Sequence, residues 1–369
     1  MTRGEQGMDK GFLMLLGGLV LFGFVMLASA SYPLALDRFD DGYYFLVHQL
    51  IFGLLPGAVG FFVASRMPYA VYRRYAGVML VVSLALLVLV FIPGIGLTYG
   101  GSQSWISVGA FSLQPSELVK LTFLFYLAAW LEKRSERELH DFSQGVLPFL
   151  CVLGAVALLL IQQPDTGTMG IIVAMALSAY FVAGAPLRYL AFFGALGVGF
   201  LALLIKLTPY RADRFTTFLH PELDPQGVGY HINQALLAIG SGGIFGRGYG
   251  HSLQKFQYLP EVAGDSIFAV MGEELGFIFT VGFLALYTAF IFRGLKIADR
   301  APDQFSRYLV VGIMAWIGVQ ALVNVGAMVG LLPITGVPLP FVSYGGTALA
   351  VSLTAMGIVA NVSRQANHV

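Results

Sequence analysis

Ten stretches of this chain are nearly unbroken runs of apolar residues, separated by short segments that are polar or rich in glycine and proline. They cover about 11–31, 43–65, 76–97, 115–131, 146–162, 168–184, 188–207, 267–292, 308–331 and 344–363. Apolar runs of about 17 to 25 residues are long enough to cross a bilayer as helices. In lipid the backbone must satisfy its own hydrogen bonds, which leaves only helices or closed barrels. Barrel strands need only about ten residues of alternating polarity. The pattern therefore predicts an all-α polytopic membrane protein of ten transmembrane helices, one domain over 1–369. The connection between the seventh and eighth spans, 208–266, is far longer than a turn. Structureless loops beyond about 15 residues are uncommon. This one carries Leu236, Leu237, Ile239, Ile244, Phe245, Phe256, Tyr258 and Leu259, so it is expected to fold onto the bundle as a large extracytoplasmic loop.

Composition agrees with the pattern. The 369 residues are 57% hydrophobic and 11% charged, against about 25% charged in soluble domains. A net charge of +1 without a large basic cluster gives no support for nucleic acid as a partner. The single cysteine, Cys151, excludes an intramolecular disulfide. Lys10, the apolar run after it and Ala28-Ser29-Ala30 resemble a secretory leader, and are read here as a retained signal anchor. Placing the N-terminus inside gathers most Lys and Arg on the inner side, including Arg66, Arg73, Arg74, Lys133, Arg134, Arg293 and Lys296. Arg38, Arg211, Arg214, Arg247 and Lys255 stay outside. Both termini are then cytoplasmic and the membrane is the cytoplasmic one.

Polar residues interrupt this background at a few places. YLPEVAGDSIFAVMGEELG, 258–276, holds Glu261, Asp265, Glu273 and Glu274. Asp265 precedes an apolar helix, so it is either an N-cap or, if Ser266 caps, a carboxylate free for chemistry at the outer mouth. Glu273 and Glu274 fall inside span eight; one is expected to face the interior and the other to snorkel or pair. Six glycines crowd 240–250, but no Gly-Lys-Ser/Thr follows and no G-x-G-x-x-G fits, so they suit backbone turning and close packing. Arg211, Arg214 and Lys255 are either snorkelling cations or a seat for a phosphorylated headgroup. Glu117 and Lys120, spaced i, i+3, share a helix face. Such groups inside a membrane mark a functional cavity by default, or brace the bundle as an ion pair. Asp165 caps a helix or lines the same cavity. The last outer connection, GLLPITGVPLPFVSYGG, offers Ser343, Tyr344 and Thr347. The six histidines show no metal-binding spacing.

QPSELVKL, QPDTGT, GYHINQALLAIGSGG, GRGYGHSLQK, YLPE with Asp265, IFAVMGEELG and GLLPITGVPLPFVSYGG follow one another here in a set order. In that order the sequence resembles the SEDS family of FtsW, RodA and SpoVE, from about Ser29 to the end. The resemblance implies a peptidoglycan glycosyltransferase that polymerises lipid II on the outer face of the cytoplasmic membrane, beside a class B penicillin-binding protein transpeptidase. It places the family's key aspartate at Asp265 and its polar cavity residues at Glu117, Lys120 and Asp165. Where members often read Thr-Asp-Phe, this chain has Gly264-Asp265-Ser266. SAS at 29–31 and YLPE favour the division branch of FtsW over the elongation branch of RodA; GVPLPFVSYGG suits both.

The reaction so implied is attack by a sugar hydroxyl on an anomeric carbon, with lipid diphosphate leaving. A positioned carboxylate takes the hydroxyl proton and nearby cations stabilise the leaving charge. Asp265 is the expected base of this inverting transfer. Arg211, Arg214, Lys255, Glu261, Ser343 and Tyr344 are further expected contacts to substrate. A divalent cation, Mg or Mn, could bridge the diphosphate to Asp265 or Glu261, although no ligand spacing requires one. A flippase for lipid-linked precursors would use similar buried charges and broken helices. A passive scaffold would leave Glu117 and Lys120 unexplained.

Overall fold

The computed structural model describes residues 7–99, 102–108, 111–223 and 227–366. The first helices are α1 (Lys10–Phe39), α2 (Tyr44–Arg66) and α3 (Ala70–Leu89). A three-stranded antiparallel sheet follows: β1 (Gly96–Tyr99), β2 (Ser102–Val108) and β3 (Phe111–Leu113), in that order. Next come α4 (Pro115–Glu132), α5 (Phe142–Gln162), α6 (Thr166–Val182) and α7 (Leu187–Leu207). Two further helices, α8 (Pro209–Leu219) and α9 (Val228–Gly242), occupy the first part of the long connection. The chain closes with α10 (Ile267–Asp299), α11 (Gln304–Met328) and α12 (Gly346–Ala366).

Eight of these helices, α1, α2, α3, α5, α7, α10, α11 and α12, are long and apolar enough to cross a membrane. The other two expected spans differ. α6 is apolar but has 17 residues, and α4 carries Glu117, Lys120 and Glu132 within 18. The all-α expectation needs correcting at the sheet. α3 stops at Leu89 rather than near 97, because Pro93 and Gly94, the latter at φ 87°, cannot continue a helix. β2 then alternates with period two, turning Ser104 and Ile106 inward.

The long connection is also corrected in detail. Its second half, 243–266, is irregular chain laid against α10. Of the apolar residues expected to seal it, Leu259 is buried, whereas Leu236, Leu237, Ile244, Phe245, Phe256 and Tyr258 are exposed. The inner face of α9 is built instead from Ile232, Ala235 and Ala238, three residues apart and therefore on one side of the helix.

Packing follows small and aromatic residues. Phe12 stacks on Phe290 and Phe22 on Phe283, joining α1 to α10. The first helix is therefore an integral part of the bundle. α2 and α12 approach so closely that a Cβ on Gly357 would lie 2.4 Å from the Phe61 carbonyl oxygen, the close small-residue contact common between membrane helices. α11 is largely enclosed by its neighbours and presents Trp316, fully buried, to α4.

α10 is broken at Gly276 (φ 75°, ψ −178°). The backbone groups freed there are taken by the connection: Phe277 and Ile278 N–H donate to the carbonyls of Gly243 and Ile244, and Arg247 and Gly248 N–H donate to those of Glu273 and Glu274. The glycine-rich run thus performs close packing, as its composition implied.

Candidate active site

At the end of the bundle where α1 finishes and α2 begins lies a cavity of about 680 Å³. This is within the usual range for a small-molecule site, about 300–1,000 Å³. The end of α1 (Asp37, Arg38, Phe39) and the start of α2 (Tyr44, Phe45, His48) make one wall. Trp105 of β2 and Ser112 of β3 make another. Lys255, Gln257 and the run Leu259–Gly264 form the floor, with Tyr344, Gly345 and Gly346 beside it.

Aromatic rings carry the first wall. Phe39 stacks on Tyr44 with centroids 3.7 Å apart, and Phe45 meets Tyr344 edge-on at 5.0 Å. The Tyr344 hydroxyl and His48 Nδ1 are 2.8 Å apart. α2 has a π-helical turn over Leu50–Leu54, a feature common at functional sites. Just before it, Gln49 donates Nε2 to the Ser343 carbonyl and accepts from Gly345 N–H at 2.9 Å.

The floor is fixed from below by the two adjacent glutamates of α10, both buried, so neither snorkels. Glu273 accepts from Ser252 Oγ and from the backbone N–H of Leu253 and Gln254. Glu274 accepts from Lys255 Nζ at 2.8 Å and from Ser29 Oγ of α1 at 2.7 Å. Lys255 Nζ also donates to Ser29 Oγ and the Gly250 carbonyl. Tyr249 donates its hydroxyl to the Val25 carbonyl. Burial, then the Glu274 and Tyr43 charges, push its phenol above the ordinary value, so it remains a donor.

From this anchor the floor climbs to Asp265. Glu261 takes a left-handed backbone, φ 50°, which costs a non-glycine residue about 1–3 kcal/mol unless its surroundings impose it. Its carbonyl accepts from Gly264 and Ser266 N–H, and the Ala263 carbonyl accepts from Tyr344 N–H. Asp265 follows, 8% exposed, its own carbonyl accepting from Asn324 Nδ2. Ser266 occupies the N-cap position of α10 without a capping hydrogen bond from its side chain. Its hydroxyl pairs with His231 Nε2 of α9 at 2.6 Å instead.

Deeper in the bundle, Lys120 Nζ lies 2.8 Å from Glu117 Oε1 and 2.9 Å from Gln320 Oε1. It also sits 4.7 Å from the Trp316 ring centroid. Glu117 and Lys120 are 2% and 1% exposed, and neither reaches the cavity wall. Asp165 caps α6 through Thr168 N–H and accepts from Ser116 Oγ at 3.4 Å, tying α6 to α4 beside the pair.

The comparisons with known proteins fit this arrangement. The family model described as "Cell cycle protein", that of FtsW, RodA and SpoVE, matches residues 10–368. The chain belongs to the FtsW/RodA/SpoVE family. "Stage V sporulation protein E" of Bacillus subtilis (strain 168) is 41% identical over 95% of each chain. A "Probable peptidoglycan glycosyltransferase FtsW" of Trichlorobacter lovleyi is 42% identical, covering 96% of this chain and 93% of that one. Among solved structures, Thermus thermophilus RodA superposes with a TM-score of 0.72 at 29% identity, over 97% of both chains. A chain from a peptidoglycan synthase complex does so with a TM-score of 0.79 at 29% identity, over 97% of this chain and 98% of its own.

In this family member the structure gathers Lys255, Glu261 and Tyr344 at the cavity and sets Asp265 one residue beyond its floor. Glu117, Lys120 and Asp165 form a separate cluster around the starts of α4 and α6. Ser343 turns away from the cavity: its hydroxyl accepts from Leu339 N–H at 2.8 Å and closes its own loop. Arg211 and Arg214 fall on α8, and their side chains lie outside the described residues. Several residues in or behind the cavity wall carried no sequence signal as site residues. Arg38 counted only toward topology, Ser29 only toward the leader-like start and the branch, and His48, Trp105, Gln320 and Asn324 are isolated polar or aromatic residues in apolar surroundings. Among the described residues no group of three or more His, Cys, Asp and Glu could hold a metal ion.

Proposed function

We propose that this chain is a peptidoglycan glycosyltransferase that joins lipid II units into glycan strands, with Asp265 as general base. The observation that carries the reading is the cavity floor, Leu259–Gly264, which leads directly into a buried aspartate just before the N-cap of α10. Names of relatives near 40% identity support the activity.

The acceptor sugar enters the aromatic-walled cavity, where ring faces suit the apolar faces of a sugar. Its hydroxyl oxygen forms a bond to the anomeric carbon of the donor as its proton passes to the Asp265 carboxylate. The bond from that carbon to the diphosphate oxygen breaks, and the electron pair leaves with the lipid diphosphate. Inversion follows from a single displacement. Charge develops on the leaving diphosphate, so cations at the mouth lower the barrier. Arg38 lines the cavity and is exposed there; Arg211 and Arg214 belong to the same role. Lys255 is committed to Glu274, so its part is to hold the floor and add positive potential beneath it. Glu261 and Tyr344 contact the substrate from the floor, whereas Glu117, Lys120 and Asp165 support the site from the next layer.

The bundle spans the cytoplasmic membrane ten times with both termini inside, which sets the cavity and 208–266 at the outer face. α4 and α6 complete the count, since α4 pairs Glu117 with Lys120 within the protein and shows lipid no bare charge. Relatives named FtsW support the division branch and its septal synthesis. The partner in this reading is a class B penicillin-binding protein, in keeping with the solved synthase complex.

The test is polymerisation of lipid II by the purified protein. Asp265→Asn keeps the shape and removes the proton acceptor, so glycan chains should fall by about 10²–10⁴-fold, the usual contribution of a positioned base. Near wild-type polymerisation by that variant would overturn the base assignment. Movement of lipid II across vesicles without glycan formation would favour a flippase.

A further inference from the structure

Asn324 was not singled out by any motif, yet it holds the backbone of the proposed base. Its Nδ2 donates twice, to the Asp265 carbonyl at 2.8 Å and to the Val337 carbonyl at 2.9 Å. Asn324 is 2% exposed, and its Oδ1 is buried without a hydrogen-bond partner. One turn earlier on α11, Gln320 repeats the arrangement. It donates to the Pro338 carbonyl at 2.9 Å and accepts from Lys120 Nζ at 2.9 Å and Trp316 Nε1 at 2.8 Å. Residues four apart share a helix face, so α11 carries a short polar ladder that ends at Asp265.

The Asp265 carbonyl needs such a partner. Asp265 precedes the N-cap Ser266, and helical hydrogen bonding begins with the N-cap carbonyl. The carbonyl before it lies outside the helical ladder, and the Asn324 amide fixes it there. The peptide plane it belongs to also fixes the direction in which the Asp265 side chain leaves the backbone. On the other side of Asp265 the chain passes through left-handed residues at Gln257 and Glu261, so that direction is not set by regular structure. The same amide reaches the 337–344 loop, which supplies Tyr344 to the cavity wall.

We propose that Asn324 is a positioning residue for the glycosyl transfer: it locks the peptide following Asp265 and the 337–344 loop in register, so that the carboxylate meets the acceptor hydroxyl. This rests on the reading of Asp265 as base. Misplacement by about 1 Å can cost about 10²-fold in rate, so the effect belongs in turnover and not in substrate binding.

The experiment uses full-length protein in detergent, with lipid II titrated and initial rates of glycan formation fitted for kcat and KM. Three variants are compared: Asn324→Ala, Asp265→Asn, and Asp303→Ala, which removes the side-chain cap from Ser306 N–H at the far end of α11. Asn324→Ala should lower kcat by about 10- to 100-fold with KM within about two-fold of wild type, while Asp303→Ala lowers the melting temperature and leaves kcat intact. Should Asn324→Ala fail to fold, Asn324→Ser retains one shorter donor and should give an intermediate kcat. An inactive Asp265→Asn beside an Asn324 variant with wild-type kcat would overturn the positioning role alone. Equal kcat losses in the Asn324 and Asp303 variants would likewise assign Asn324 to stability only. A fully active Asp265→Asn would overturn the base assignment and the positioning role together.

Discussion

Lys255 Nζ lies 2.8 Å from Glu274 Oε1, with the two side chains 4% and 0% exposed. Removing one partner from such a pair leaves the other charge buried and unbalanced, at a cost of about 3–5 kcal/mol. Glu274→Ala should therefore lower the melting temperature sharply and open 247–260 to proteolysis. Glu132→Ala is the comparison, since it breaks a surface pair with Arg73 worth about 0–1 kcal/mol. Equal thermal shifts in the two variants would show that the buried pair does not anchor the loop.

Gly246 and Gly276 touch backbone to backbone. A Cβ on Gly276 would stand 2.1 Å from Gly246 N, and one on Gly246 would stand 2.2 Å from the Glu274 carbonyl oxygen. Both have positive φ, 75° and 79°. Neither contact can relax without moving backbone, so Gly276→Ala and Gly246→Ala should each cut the yield of folded protein. Gly282, in the same helix, has nothing within 4 Å of an added Cβ. Gly282→Ala should fold normally and gain up to about 1 kcal/mol from helix propensity. Size-exclusion profiles of the three variants decide the matter, and a well-folded Gly276→Ala would count against the interlock.

Glu117 and Lys120 should behave as a coupled unit. Lys120→Ala strands a carboxylate whose Oε2 already lacks a hydrogen-bond partner, so it should destabilise more than Glu117→Ala/Lys120→Ala, where no charge is left unpaired. Coupling energies between residues in contact run to about 0.5–3 kcal/mol. Thermal denaturation of both single variants and the double variant measures the coupling. Strict additivity would mean the pair contributes nothing to the bundle.

Some of the site was legible because it is written locally. The spacing of Glu117 and Lys120 needs only a helix to pair them, and the pair is there. Asp165 sits where an aspartate after proline caps a helix. Asp265 stands out because charged groups are costly beside an apolar span. Ser343 misled because a hydroxyl's direction depends on its loop, and this one turns back on Leu339 N–H. The sheet at 96–113 was missed because the run from α3 stays apolar beyond Leu89, and only backbone breakers mark the change.

What the sequence determined by itself is a helical bundle of membrane-crossing segments, and the family. Hydrophobic length and motif order are properties of consecutive residues and need no partner. Tertiary structure decided everything that joins distant residues. Ser29, Lys255 and Glu274 come from three segments and meet in one buried cluster. His48 reaches Tyr344 across 296 positions, and Asn324 reaches Asp265 across 59. The physical reason is that a buried polar group must find a partner wherever the fold brings one. In a chain this apolar such partners are few, and their identity is fixed only when the helices pack.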